Sequence, residues 1–235
     1  MEKKSKKAKR PAPEKKSRHL LADLRYKRSL FCKENGNLPL EKLKKDGGAY
    51  GEYLTFDALR REKAKWLFRL RLPHGEEFTE IDALLIGPRG MFVLESKNLS
   101  GRIYGRPSQP DWVQTVLTGR GVKKKRFFNP LMQNAAHLRA LREICGNDVP
   151  AFPMVVLGSD CEIWTPELQK CRELLNVQDL RKTVRSFKKG ALSQERIDEL
   201  YALLLPYASG DETSMRAHIA KIAKKNVGRS RAGKF

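Results

Sequence analysis

The sequence predicts an α/β fold. Three observations carry that prediction: segments with helical spacing alternate with short apolar strands, Phe78 to Ser96 reads as an apolar hairpin, and Met154-Val155-Val156-Leu157 is wholly apolar, as a central strand would be. At 235 residues, one main domain with appendages is expected.

Residues 1–18, rich in Lys with Pro and Ser, lack the apolar content that offsets ordering entropy and are expected to be disordered. Leu20, Leu21, Leu24 and Phe31 fall at roughly helical spacing among Arg25, Lys27 and Arg28, which predicts a short basic helix ended by Gly36 and Pro39. Gly47-Gly48 reads as a further break. From Ala49 to about Lys65 the pattern is helical, with Ala49, Glu52, Phe56 and Leu59 near one face. Glu52 is a carboxylate in an otherwise core-like row.

Trp66 to Leu72 reads as a strand stopped by Pro73 and Gly75. Phe78 to Ile86 and Met91 to Ser96 form the hairpin, turning at Gly87-Pro88-Arg89-Gly90. Gly101 to Gly121 reads as turn-rich, with a short strand at Trp112-Val113. Asn129-Pro130 is a helix start, because Asn caps and Pro suits the first helical position, and the helix should run to about Cys145 and bury Leu131, Ala135, Leu138 and Leu141. Ile163-Trp164 and Leu174-Leu175 are candidate minor strands. Ser193 caps an expected helix with Ile197, Leu200, Tyr201 and Leu204 buried, ended by Pro206, and a last basic helix is expected over Glu212 to Lys225.

Lys and Arg number 48 against 27 Asp and Glu, a net charge of +21, so a polyanion is the expected partner. The first 18 residues carry +7 and residues 216–235 another +7, leaving +7 for the middle. Cys32, Cys145, Cys161 and Cys171 form no C-x-x-C pair, which argues against a zinc site or a disulfide framework and suits a reducing cytosol. The basic N-terminus lacks the apolar core of a secretory signal, and no run approaches the ~18–20 apolar residues of a membrane span. A cytoplasmic protein with no membrane partner is expected.

The chemistry concentrates in Ile81 to Asn98, IDALLIGPRGMFVLESKN. Asp82 lies on the outgoing strand, and Glu95 and Lys97 on the returning one share a face because strand side chains alternate. Two carboxylates suit a hard cation such as Mg2+ or Mn2+, and an adjacent ammonium can position a water and offset phosphate charge. E-x-K alone is weak, since it also occurs at Glu2/Lys4 and Glu14/Lys16, and an exposed cross-strand salt bridge would explain the third pair equally well. Glu80 is a further candidate ligand or a partner for Arg69 or Arg71. His137 follows Gln133 by one helical turn and could contact substrate or be a satisfied helix histidine. No histidine, cysteine or serine pattern suggests a nucleophilic triad.

Gly51-Glu52 on a helix, Ile81-Asp82 with Ile86-Gly87-Pro88, Gly90-Met91-Phe92-Val93-Leu94-Glu95-Ser96-Lys97-Asn98, and Asn129-Pro130-Leu131-Met132-Gln133 together resemble the nuclease-related domain, NERD, over about residues 46–145. The resemblance implies the PD-(D/E)xK nuclease-like superfamily: a central mixed sheet flanked by helices, cutting DNA with Mg2+. By position it makes Asp82 and Glu95 metal ligands, Lys97 the assistant of the attacking water, Glu52 a contributor to the metal site from its helix, and Gln133 a polar group near metal or phosphate. The family's usual threonine between Glu and Lys is Ser96 here, directed to the opposite face.

Lys123-Lys124-Lys125-Arg126 beside Phe127-Phe128 suggests an edge that guides DNA, with cations for phosphates and aromatics for bases. The alternative is an edge strand whose lysines discourage aggregation while the phenylalanines fill the core. The expected organisation is a basic arm and short helix over 1–45, the nuclease-like domain over 46–180, and C-terminal helices with a basic tail over 181–235. The expected activity is metal-dependent hydrolysis of DNA. The alternatives are a binding or adaptor module with the same fold and no turnover, and an RNA-binding protein that works mainly through its tails.

Overall fold

The computed structural model describes residues 15–208. Most of the expected basic arm, the helix expected over 212–225 and the basic tail lie outside the described residues. The chain divides into two compact units, Met1–Asp46 and Gly47–Phe235.

In the first unit α1 (Lys15–Lys27), α2 (Leu30–Glu34) and α3 (Leu40–Leu43) replace the single expected helix. The chain breaks at Ser29, whose hydroxyl accepts from Cys32 N at 3.1 Å and caps α2. Gly36 and Asn37 take left-handed backbone conformations that end it. Of the expected apolar row, Phe31 alone is buried. Leu20, Leu21 and Leu24 are exposed, while Tyr26, Phe31, Leu40 and Leu43 are buried, and the Tyr26 hydroxyl donates to Leu38 O at 2.8 Å.

The second unit starts with α4 (Gly47–Leu59), so Gly47-Gly48 opens the helix and is not a break before it. A five-stranded mixed sheet follows, in the order β1-β2-β3-β7-β9, built from β1 (Lys65–His74), β2 (Glu77–Gly87), β3 (Gly90–Lys97), β7 (Ala151–Leu157) and β9 (Leu174–Asn176). β1, β2 and β3 pair antiparallel, whereas β7 joins β3 and β9 in parallel. The apolar run of β7 is thus central, as its composition requires. Pro73 lies inside β1 and does not stop it, because β1 is the sheet edge and needs no donor there.

A second sheet was legible only in part. β4 (Gly101–Tyr104), β5 (Asp111–Thr118), β6 (Gly121–Phe128) and β8 (Cys161–Ile163) align as β6-β5-β4-β8; β4 and β5 occupy the stretch read as turn-rich, the expected strand at Trp112-Val113 lies within β5, and that at Ile163-Trp164 overlaps β8. Trp112 anchors it: the ring is fully buried, its Nε1 donates to Arg106 O at 3.0 Å, and Gly105 lies so close that a Cβ there would stand 2.4 Å from Trp112 Cδ1.

Helices cover both faces of the first sheet. α5 (Pro130–Cys145) and α8 (Gln194–Ala208) pack on one, and α4 and α7 (Val177–Ser186) on the other, with the short α6 (Pro166–Gln169) beside β8. α5 starts as expected: Asn129 Oδ1 accepts from Leu131 N at 2.9 Å, with Pro130 in the first turn. Its fully buried face is Asn134, His137, Ala140, Leu141 and Cys145, one step round from the predicted stripe. Ser193 Oγ accepts from Arg196 N at 3.2 Å at the start of α8, and Pro206 falls within its last turn. The core between this layer and the sheet joins Leu67, Leu70, Ile81, Leu84, Val93, Leu141, Leu200 and Leu204. All four cysteines are free.

Candidate functional site

The site begins where a ladder ends. β2 and β3 pair from Gly87↔Gly90 to Ala83↔Leu94, so Asp82 and Glu95 occupy the next rung. The Asp82 side chain closes it, accepting from Ser96 N at 2.8 Å with Oδ2. On the other side, the β1–β2 pairing is interrupted between Phe68↔Ala83 and Leu70↔Ile81, and Arg69, opposite Asp82, has φ +50°. Leu67 and Leu70 both face the core under α5 and α8, as do Ile81 and Leu84. Strict alternation would put the members of each pair on opposite faces. Both strands therefore exchange faces at Arg69 and Asp82, a local kink that turns the aspartate toward β3.

Glu95 is 1% exposed, and both carboxylate oxygens are engaged. Lys97 Nζ lies 2.6 Å from Oε1, and His137 Nε2 lies 3.1 Å from Oε2. His137 Nδ1 in turn shares a 2.6 Å hydrogen bond with Thr79 Oγ1. The two bonds are complementary: with the ring proton on Nε2 facing Glu95, Nδ1 accepts from the threonine hydroxyl, and the opposite tautomer reverses both. Lys97, with 27% of its side chain exposed, links this buried carboxylate to open solvent.

Burial pushes the Asp82 carboxyl up from an ordinary 3.8 to about 8, with the Glu95 charge acting in the same direction. The Ser96 amide opposes the rise, Glu52 adds to it, and Lys97 counters part of it. Three acids thus share one electrostatic neighbourhood.

Glu52 reaches it from α4 through close backbone packing. A Cβ on Gly51 would stand 2.7 Å from Asn98 Cβ, so only glycine lets the helix lie this near the end of β3. Asn98 Nδ2 donates to Gly47 O at 2.8 Å, and Thr55 Oγ1 lies 2.9 Å from Ser96 Oγ. Ser96 faces α4, opposite Glu95 and Lys97, as its position in the strand predicts.

The other expected residues are placed differently. Gln133 sits half-buried one turn before His137 on α5. Glu80 is exposed, lies opposite Arg71 in the ladder, and is not among the charges that act on Asp82. Lys123, Lys124, Lys125 and Arg126 are exposed on β6, the edge of the second sheet. Among the described residues no three His, Cys, Asp or Glu side chains are placed to hold one ion, so Glu52, Asp82 and Glu95 do not form a ready-made cage.

His137 and Thr79 are the residues whose part sequence reasoning undervalued. The helical spacing from Gln133 to His137 was visible; that α5 lies across Glu95 was not. Asn134 adds a second tie, donating from Nδ2 to Val93 O at 3.0 Å.

A mixed sheet between helical layers, ending in clustered carboxylates and a lysine, is a nuclease-like core. Residues 47–158 match the family model of the nuclease-related domain, NERD, a family of the PD-(D/E)xK-like nuclease superfamily. An uncharacterized protein of Bacillus anthracis is 27% identical over 148 residues, covering 63% of this chain and 68% of that protein. No solved structure matches. No helix among the described residues is long and apolar enough to cross a membrane.

Proposed function

We propose that this chain hydrolyses phosphodiester bonds of DNA with Mg2+ or Mn2+ held by Asp82 and Glu95, and with Glu52 contributing from the second layer of the site. The observation that supports this reading is the rung at the end of the β2–β3 ladder, which sets Asp82 beside Glu95 with Lys97 Nζ 2.6 Å from Glu95 Oε1 and Glu52 close enough to act on the Asp82 carboxyl. Such a cluster is unfavourable alone and gains from a divalent cation. The donor chemistry fits: carboxylate oxygens are what a hard cation takes.

When bound, the ion supplies positive charge that offsets the phosphoryl oxygens. The chain's own residues do the rest. His137, fixed by Thr79, holds Glu95 in one orientation, and the Ser96 amide does the same for Asp82. Lys97 spans Glu95 and solvent, where it can orient a water and meet a phosphate oxygen. Gln133 offers an amide on the same helix as His137.

The test is incubation of closed-circular and linear DNA with the purified full chain, with and without Mg2+ or Mn2+. Nicking of the circle that requires the cation and disappears in Asp82→Asn supports the reading; absence of cleavage under all conditions overturns it. One observation favours a second reading, a DNA-binding module without turnover: the ion cage is not preformed, and Lys97 occupies Glu95 Oε1. Under that reading the protein retains DNA without cutting it in either metal.

A further inference from the structure

The second sheet ends in a projecting ribbon. β4 pairs with β5 only from Tyr104↔Val113 to Arg102↔Thr115, while β5 and β6 continue together to Thr118↔Gly121. From Thr115 to the turn at Gly119 this leaves about 13 Å of two-stranded ribbon beyond the sheet. Residues 117–126 are all exposed, and among the described residues β6 packs substantially on β5 alone.

Its side chains are sorted. Leu117 and Val122 face each other across the ladder next to the turn, 83% and 59% exposed. By alternation Lys124 and Arg126 share their face, and Lys123 and Lys125 lie on the other. Cations thus stand on both faces of the stem, with an apolar pair at the tip and Arg120 in the turn. A ribbon lying flat on an acidic surface needs charge on one face only. A ribbon inside a groove of duplex DNA meets phosphates on both sides, and its tip meets the base edges.

The location fits the same partner. β3 ends at Lys97 and β4 starts at Gly101, a link of at most about 14 Å. A Cβ on Gly101 would stand 2.2 Å from Thr115 O, and Gln114 Nε2 donates to Ser100 O at 2.8 Å, so the base of the ribbon is tied to the chain leaving Lys97.

We propose that the β5–β6 ribbon enters a groove of duplex DNA, its Lys and Arg side chains holding the phosphates on both walls and Leu117, backed by Val122, wedging between base pairs at the tip. This rests on the DNA reading above but not on turnover. Apolar wedges of this kind unstack a base step and kink the duplex, at a cost of a few kcal/mol offset by the extra contact.

The experiment uses the full chain in EDTA with a duplex bearing 2-aminopurine, whose fluorescence rises on unstacking. The parent should raise the signal. Leu117→Ser with Val122→Ser, both at exposed positions, should abolish the rise and weaken binding about tenfold while keeping the salt dependence. Replacing Lys123, Lys124, Lys125 and Arg126 by Ser should reduce the slope of log K against log salt by about 3 to 4. The proposal is overturned if the parent binds without a rise, if the tip variant keeps it, if the slope is unchanged, or if the tip variant only removes self-association seen by sedimentation. Because no cation is present, loss of cleavage leaves this result intact, and a catalytically active protein with an inert ribbon fails this proposal alone.

Discussion

The carboxylate site and the cationic ribbon are close in the chain, Lys97 lying 26 residues before Lys123, and opposite in construction. At the end of β3, Glu95 is buried, held on both oxygens and packed between α4 and α5. On β6, Lys123 to Arg126 stand in solvent on a strand supported by one neighbour. The difference shows where each charge is useful. A group that must keep its orientation is built into a packed scaffold, where side-chain entropy is already spent. A group that must meet a long polyanion stays exposed, where screening makes each contact weak and the sum salt-dependent.

The largest expected effect tests the rigid side of this contrast. Lys97→Ala or Asp82→Asn should lower DNA cleavage by about a thousandfold or more, since each removes charge from the reacting position. DNA retention in a filter or anisotropy assay should stay within a few-fold. A Lys97→Ala protein that cuts as fast as the parent would remove that residue from the site.

Next come variants that disturb the scaffold and leave every acid in place. His137→Ala should cost roughly 2–4 kcal/mol in urea unfolding, because it opens a cavity and leaves Glu95 Oε2 without its donor. Gly51→Ala should cost about 1–3 kcal/mol, because the new methyl meets Asn98 and pushes α4, with Glu52, away from β3. If Gly51→Ala also reduces cleavage, the closeness of Glu52 matters to function as well as to packing.

A smaller effect follows from Asp82. Between its ordinary 3.8 and about 8 the folded protein holds a proton that the unfolded chain has released, so stability is greatest below pH 4 on this account, falls as pH rises through that window and levels off above it. Thermal unfolding of the metal-free protein should show the decline, at roughly 2–4 °C for each kcal/mol. Asp82→Asn should flatten it, and Mn2+ added at pH 8 should raise the midpoint of the parent more than that of the variant. The smallest stability effect belongs to the ribbon: replacing its four cations by Ser should change unfolding by no more than about 0.5 kcal/mol. A larger loss would mean that β6 is a structural strand and not an exposed arm.

Phe127 and Phe128 divide the two readings of the basic tract between them. Phe127 stacks edge-on against buried Trp112, as a core-filling residue does, whereas Phe128 is 52% exposed. Adjacent residues of a strand point to opposite faces, so one explanation could not serve both.

Sequence by itself determined the parts whose signals are local. The apolar β2–β3 hairpin, the Asn129-Pro130 helix start and the apolar β7 each follow from the side-chain period, a cap or a run within a few residues. That Glu95 and Lys97 share a face was visible for the same reason, since alternation places residues without knowledge of distant partners. Only the tertiary structure decided the rest. Polar, half-exposed strands such as β4 and β6 carry no periodic apolar pattern and form through cross-strand bonds and single core contacts, Ile103 in β4 and Phe127 in β6. The face exchange at Arg69, the approach of α4 at Gly51 and the seating of His137 on Glu95 join residues far apart in the chain. Their free energy comes from burial and hydrogen bonds that form once the sheet and both helical layers have assembled.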